Sequence, residues 1–156
     1  AQLAEWQQTL SRWCQDASLV SAAREALQLG DDALEELLKI AEAWANGDFR
    51  SMPAIALLAA EQLAGAEAAY AIETHTIYLN ADWARTASDR SLQEVLTEEL
   101  GHFLDGVLNV ADSDGDEGKI FAQLLAIKNA VLKTRYVLTI AAMNSVSALK
   151  FSDLIR

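Results

Sequence analysis

Three side chains that can bind a metal ion or move a proton fall within five consecutive residues. Glu98, Glu99 and His102 occupy this stretch, and no lysine or arginine lies between Arg90 and Lys119. On a helix, positions i and i+4 share one face, so Glu98 and His102 can bind one cation together. Glu99 lies beside that face, where a carboxylate can hold a metal-bound water and accept its proton. The spacing therefore predicts a metal site capable of hydrolysis.

The charge around these residues favours a cation, although a solvent-exposed helix face can carry the same pattern without one. Acids that no nearby base balances repel one another, and a bound cation would relieve that repulsion. A hydrated acidic loop is the alternative. The acids of the stretch are Glu94, Glu98, Glu99, Asp105, Asp112, Asp114, Asp116 and Glu117.

Helices are the predicted scaffold of the first third of the chain. Residues 2–15 and 18–28 have apolar side chains at helical spacing. Asp32 and Glu35 have the spacing of a capping box, which would open a third helix running to about Ala45. Ser51 and Pro53 predict the start of a fourth helix. Its apolar side would be Leu57, Leu58 and Leu63.

The pattern changes after Gly65, where β-branched and aromatic residues predict strands. We expect two short strands at 68–72 and 75–79, joined as a hairpin that turns near Glu73. Asn80 then starts a turn or short helix that runs through Trp83.

The motif helix follows this hairpin. Ser91 and Glu94 have capping-box spacing and would open it. Its buried side would be Leu96, Leu100, Phe103, Leu104 and Val107. An acidic loop at 109–118 leads to another helix at about 117–133. That helix has one apolar side made of Ile120, Leu124, Ile127 and Val131.

Taken together, these elements predict one domain over residues 1–156, of the α+β class and predominantly α-helical, with a small β-hairpin or sheet. A helical part (1–64) would precede the core with the motif helix (65–133), and a C-terminal extension (134–156) would follow. The formal net charge of −11 argues against nucleic acid as a partner. No apolar run is long enough to insert in a membrane. Cys14 is the only cysteine, so no internal disulfide is expected.

Residues 75–102 resemble the core of a zincin metallopeptidase, in which an edge strand precedes a central active-site helix carrying His-Glu-x-x-His. Here Glu98 stands in place of the first histidine. The resemblance implies that Glu99 is the catalytic base and His102 a metal ligand. It also implies that residues 76–80 are the edge strand, which pairs with an extended peptide or protein substrate.

The resemblance further implies a third ligand on a later helix, for which Glu117 is the first candidate. Asp105 and Asp116 are the alternatives, and Asp105 also suits a role in orienting His102. Zinc is the favoured metal. The exchange of histidine for Glu98 makes the ligand set harder and more anionic, so manganese and iron also suit it. The added negative charge makes the metal a poorer Lewis acid, which puts peptidase activity in question.

The stretch from about 48 to 125 also resembles an uncharacterised domain of large secreted cyanobacterial proteins that often carry calcium-binding repeats. The phrases that carry this resemblance are Gly47-Asp48-Phe49, residues 76–80 and 95–102, and Gly115-Asp116-Glu117-Gly118. It implies a secreted or cell-surface location.

Calcium is a competing interpretation of the acidic loop. Asp112, Asp114 and Asp116 have the spacing that opens an EF-hand loop, although Glu117 and Gln123 stand where glycine and glutamate belong. A calcium site made of the same aspartates, without the full EF-hand loop, is the second form of this interpretation. His75 could pair with His102 on a metal, or it could be an exposed strand histidine. Two hypotheses result: a zincin-like metal-dependent hydrolase, or a non-catalytic extracellular module with a vestigial zincin site or a structural calcium.

Overall fold

The computed structural model describes residues 2–109 and 116–131, which form a predominantly helical α+β fold, as predicted. The predicted loop residues 110–115 and the extension 134–156 lie outside the described residues. Within the described ranges, no helix is both long enough and apolar enough to cross a membrane. The elements are α1 (Gln2–Gln15), α2 (Ser18–Ala26), α3 (Asp31–Ala45), β1 (Ala54–Leu58), a 3-10 turn (Ala60–Leu63), β2 (Ala68–Ala71), β3 (Thr76–Asn80), α4 (Ala81–Thr86), α5 (Asp89–Leu108) and α6, described over 117–131.

The three N-terminal helices are confirmed, and each buries one apolar side. Trp6 of α1 and Trp44 of α3 are fully buried. The predicted capping box that begins at Asp32 is wrong, because α3 begins at Asp31 and its N-cap is Gly30, without a side-chain hydrogen bond. Two aspartates in the first turn instead complement the positive end of the helix dipole.

The predicted fourth helix is wrong, because residues 54–58 form strand β1. This strand pairs in parallel with β3, with Ala54 opposite Thr76 and Leu58 opposite Asn80. The stretch is rich in alanine and leucine, which favour helices in isolation. Pairing with β3 satisfies the backbone hydrogen bonds of β1 and overrides this local preference.

The sheet has the order β1-β3-β2, so β3 is its central strand. The predicted hairpin is confirmed, since β2 and β3 pair antiparallel, with Tyr70 opposite Ile77. The prediction that residues 76–80 form the edge strand is wrong. Ile77 and Leu79 are buried on one face of β3, and Thr76 and Asn80 are buried on the other. Strand β3 is therefore paired along both of its edges and covered on both of its faces.

Asn80 ends β3 and starts α4, the short helix predicted from the sequence. Its Oδ1 accepts hydrogen bonds from the backbone N–H groups of Asp82 and Trp83, at 3.0 and 3.1 Å. Its side-chain amide donates to the carbonyl of Ala66 at 3.1 Å. Asn80 therefore links the sheet to α4, the element that leads into the motif helix.

The motif helix α5 begins before the predicted capping box. Ser88 is its N-cap and accepts a hydrogen bond from the backbone N–H of Ser91 at 3.1 Å. The predicted capping box of Ser91 and Glu94 is therefore wrong. The Glu94 carboxylate instead accepts a hydrogen bond from the side chain of Arg90. Four of the five predicted apolar residues are buried, whereas Val107 is 42% exposed.

Helix α6 packs through a side other than the predicted one. Phe121 and Leu125 are fully buried, whereas Ile120, Ile127 and Val131 are exposed. Leu124, the fourth residue of the predicted side, is half-buried and packs against the core. Both sets have helical spacing, so the sequence does not distinguish them. The buried set shares its side with Gly118, whose small size lets α6 approach α5 closely.

Candidate metal centre

Helix α5 brings the three predicted residues together. The ligand atoms of Glu98, Glu99 and His102 all lie within 4.8 Å of one another. Glu98 and His102 are half-buried, and Glu99 is buried. This group could hold a metal ion. The described residues contain no second group of this kind.

Glu99 lies in an environment that favours its protonated form. Burial raises the pKa of the Glu99 carboxyl above its ordinary value, and the neighbouring Glu98 carboxylate raises it further. The His102 side chain and a hydrogen bond from the backbone N–H of Tyr70 act in the opposite direction. A cation bound to the group would add to these opposing effects, because it stabilises the carboxylate form.

The backbone N–H of Tyr70, which lowers the pKa of Glu99, lies on the edge of strand β2 that no other described strand covers. The backbone N–H of Asn80 donates to the carbonyl of Glu67, so these two residues form a hydrogen-bonded pair between β3 and the start of β2. In an antiparallel pair, hydrogen-bonded and non-hydrogen-bonded positions alternate. The backbone groups of Tyr70, an odd number of residues from Glu67, therefore face away from β3. The N–H of Tyr70 thus lies on this edge of β2, where it lowers the pKa of the Glu99 carboxyl.

The edge strand beside α5 is thus β2, and further contacts hold it there. The ring of Tyr70 packs edge-on against Phe103 of α5, with ring centroids 5.8 Å apart. Gly106, one turn further along α5, lies against Ile72. The sequence did not single out Tyr70 for this role, because its contribution comes from a backbone N–H.

The other predicted ligands lie outside this group. Glu117 is half-buried and Asp116 is exposed, both at the start of α6. Asp105 is buried and accepts a hydrogen bond from the Asn109 side chain at 2.5 Å. Asp112 and Asp114 lie outside the described residues. The third ligand predicted at Glu117, and the calcium site in the acidic loop, therefore stay predictions.

His75 is exposed, as predicted, but it lies in the hairpin turn rather than in a strand. Its φ of 48° is in the left-handed region, and β3 begins at the next residue. Its Nδ1 is 3.4 Å from the hydroxyl of Tyr70, and its ring packs edge-on against Phe103. Among the described residues, the group that could hold a metal includes His102 and not His75.

Cys14 is half-buried near the end of α1. Burial, with a smaller contribution from Asp16, raises the pKa of its thiol to about 12. A thiol with this pKa stays protonated at neutral pH, and a nucleophilic cysteine requires the thiolate. The structure therefore gives no support to Cys14 as a nucleophile.

Comparisons with protein-family models, with curated proteins and with solved structures found no match to this chain.

Proposed function

We propose that the chain binds one divalent metal ion at Glu98, Glu99 and His102 and uses it to hydrolyse a peptide or protein substrate. The observation that carries the proposal is the convergence of three ligand atoms within 4.8 Å on one helix. One imidazole and two carboxylates suit zinc, manganese or iron, and zinc is favoured.

The site supports two roles for Glu99. Glu98 and His102 are one helical turn apart and supply a two-residue metal ligand set. Glu99 can complete this set as a third ligand, or it can accept a proton from a water molecule beside the metal. The raised pKa belongs to the metal-free protein, and a bound cation would lower it, so the pKa does not distinguish the two roles.

Metal binding without catalysis is the second candidate function, and the surroundings of Glu99 favour it. This carboxylate is buried and already accepts a hydrogen bond from the edge of β2. A group held in this way can serve as a structural link between strand and helix. The ion would then be a structural element of an extracellular module.

Metal binding is tested by titrating the metal-free protein with Zn²⁺, Mn²⁺ and Ca²⁺ in a calorimeter. We expect about one Zn²⁺ per chain, with binding lost in Glu98→Ala and in His102→Ala. His75→Ala and Glu61→Ala are matched controls, because both side chains are exposed and lie outside the group. Zn²⁺ binding that survives Glu98→Ala and His102→Ala would rule out this site.

Catalysis is tested with the Glu99→Gln variant on a mixture of unstructured peptides. If Glu99 is the base, the variant keeps its Zn²⁺ and loses hydrolysis by at least about a hundred-fold. If Glu99 is a ligand, Zn²⁺ affinity and hydrolysis fall together. A wild-type protein that binds Zn²⁺ and cleaves no peptide would support the structural alternative.

A further inference from the structure

Two buried glycines bring α5 and α6 into backbone contact at the turn that carries the proposed ligands. A Cβ atom at Gly101 would lie 2.7 Å from the Cα of Gly118 and 2.9 Å from Cδ1 of Phe121. Real Cβ atoms essentially never come this close to other heavy atoms. Glycine in a helix costs about 1 kcal/mol relative to alanine. The close approach of the two helices is a physical reason for glycine at both positions.

Gly118 also lies directly against a proposed metal ligand. A Cβ atom at this position would lie 2.7 Å from both Cδ2 and Nε2 of His102, and it would overlap the backbone carbonyl oxygen of Glu98. Any side chain at 118 must therefore displace the imidazole or move α6 away from α5. The first turn of α6 thus limits where the imidazole of His102 can lie.

Contacts between the two helices are sufficient to explain the glycine at 101, whereas Gly118 has contacts of a second kind. The three atoms nearest a Cβ at Gly101 belong to Gly118 and Phe121, which are packing partners from α6. At Gly118, two of the three nearest atoms belong to the imidazole of His102. Gly118 therefore bears on the geometry of the proposed site, in addition to the distance between the helices.

We infer that Gly118 is a positioning residue, which packs against the His102 imidazole and holds it in place beside Glu98 and Glu99. The inference rests on the proposed function, because it assigns His102 as a ligand. A methyl group at 118 would displace the imidazole from the position in which a ring nitrogen lies within 4.8 Å of the Glu98 and Glu99 oxygens. Changes to groups that orient a metal ligand typically weaken metal affinity by about 10- to 100-fold.

The first test uses metal-free protein and the side-chain NMR signals of its two histidines. In Gly118→Ala we expect the His102 signals to shift, while those of the exposed His75 stay in place. Gly30→Ala is the matched control, because a Cβ there meets no atom within 4 Å and the φ of −78° suits alanine. His102 signals that are the same in Gly118→Ala and wild type would overturn the inference.

The second test compares Zn²⁺ affinity in the same proteins. We expect affinity to fall by about 10- to 100-fold in Gly118→Ala and to be unchanged in Gly30→Ala. Equal affinity in Gly118→Ala and wild type would overturn the inference. If the wild type binds no Zn²⁺, the proposed function fails, and the NMR test still decides whether Gly118 positions the imidazole.

A variant that does not fold is also informative. If Gly118→Ala is unfolded, we expect the double variant with His102→Ala to regain part of the lost stability, because removing the imidazole relieves one clash while the overlap with the Glu98 carbonyl remains. The two variants are compared in a stabilising osmolyte, and a double variant that is no more stable than Gly118→Ala would contradict the inference and assign Gly118 to the contact between the helices alone.

Discussion

At the scale of single residues, Glu99 combines two properties that oppose each other. Its carboxylate is buried beside Glu98, which destabilises the charged form. The same position places its oxygen within reach of His102 and of the backbone N–H of Tyr70. A buried acid that costs stability at neutral pH is typical of functional sites.

Glu99→Gln tests this cost. The folded-state pKa of Glu99 is raised above its ordinary value of 4.5, so the folded protein binds the proton more tightly than the unfolded chain does. The free energy of unfolding therefore falls as the pH rises from about 4.5 through the folded-state pKa. Glutamine does not titrate and can still accept from Tyr70, so the metal-free variant should be more stable than wild type at pH 7.

Urea denaturation at pH 4 and pH 7 measures this effect. The difference between wild type and Glu99→Gln should be smaller at pH 4, where the carboxyl is mainly protonated in both the folded and the unfolded state. Glu61→Gln is the control, since Glu61 is exposed. An equal difference at both pH values, or a variant that is less stable at pH 7, would contradict the assigned cause.

At the scale of elements, a buried hydrogen bond fixes α1 on α5. The indole N–H of Trp6 donates to the hydroxyl of Thr97 at 3.1 Å, and that hydroxyl donates to the carbonyl of Gln93 at 2.7 Å. Thr97 lies one residue before Glu98. This bond therefore links the N-terminal helices to the turn that carries the proposed metal ligands.

Thr97→Val should lower the free energy of unfolding by about 1–3 kcal/mol, because it leaves the buried indole N–H of Trp6 without its partner while keeping the side-chain shape. Thr97→Ser is the matched variant, since it keeps the hydroxyl and loses only a methyl group. Chemical denaturation of the three proteins gives the comparison. If serine costs more than valine, packing of the methyl group matters more than the hydrogen bond.

At the scale of the whole molecule, one hydrophobic core joins the N-terminal helices to the candidate site. The core cluster includes residues of α1, α2, α3, β3, α5 and α6. Trp44 of α3 stacks on Phe103 of α5 with ring centroids 6.5 Å apart, and Phe103 contacts Tyr70 of β2. These contacts predict that an ion bound on α5 stabilises the N-terminal helices as well.

Zn²⁺ should therefore raise the unfolding temperature of the whole molecule. A ligand at 100 times its dissociation constant adds about 2.7 kcal/mol to a cooperative unit. The unfolding temperature should rise by the same amount whether it is followed by tryptophan emission or by far-ultraviolet circular dichroism. The buried Trp6 and Trp44 contribute to the emission. His102→Ala should show no shift. An emission transition that stays in place while the dichroism transition moves would mean that the N-terminal helices unfold independently of the site.

The sequence is sufficient to predict the features that depend on local periodicity. It predicted α1–α3, the β2–β3 hairpin, α4 and the motif helix, because helical spacing, strand alternation and turn residues act over a few neighbouring positions. It also placed Glu98, Glu99 and His102 together, since residues one helical turn apart are neighbours in any fold that keeps the helix.

Features that depend on residues distant in the sequence follow only from the fold. Residues 54–58 form a strand because β3 lies beside them, and β3 is central because β1 covers its second edge. The burial of Glu99 depends on residues that are far from it in the sequence. The interaction of Glu99 with Tyr70 and the contact of Gly118 with His102 also join distant residues. Periodicity carries no information on such pairs, because burial and strand pairing are set by the packing of whole elements.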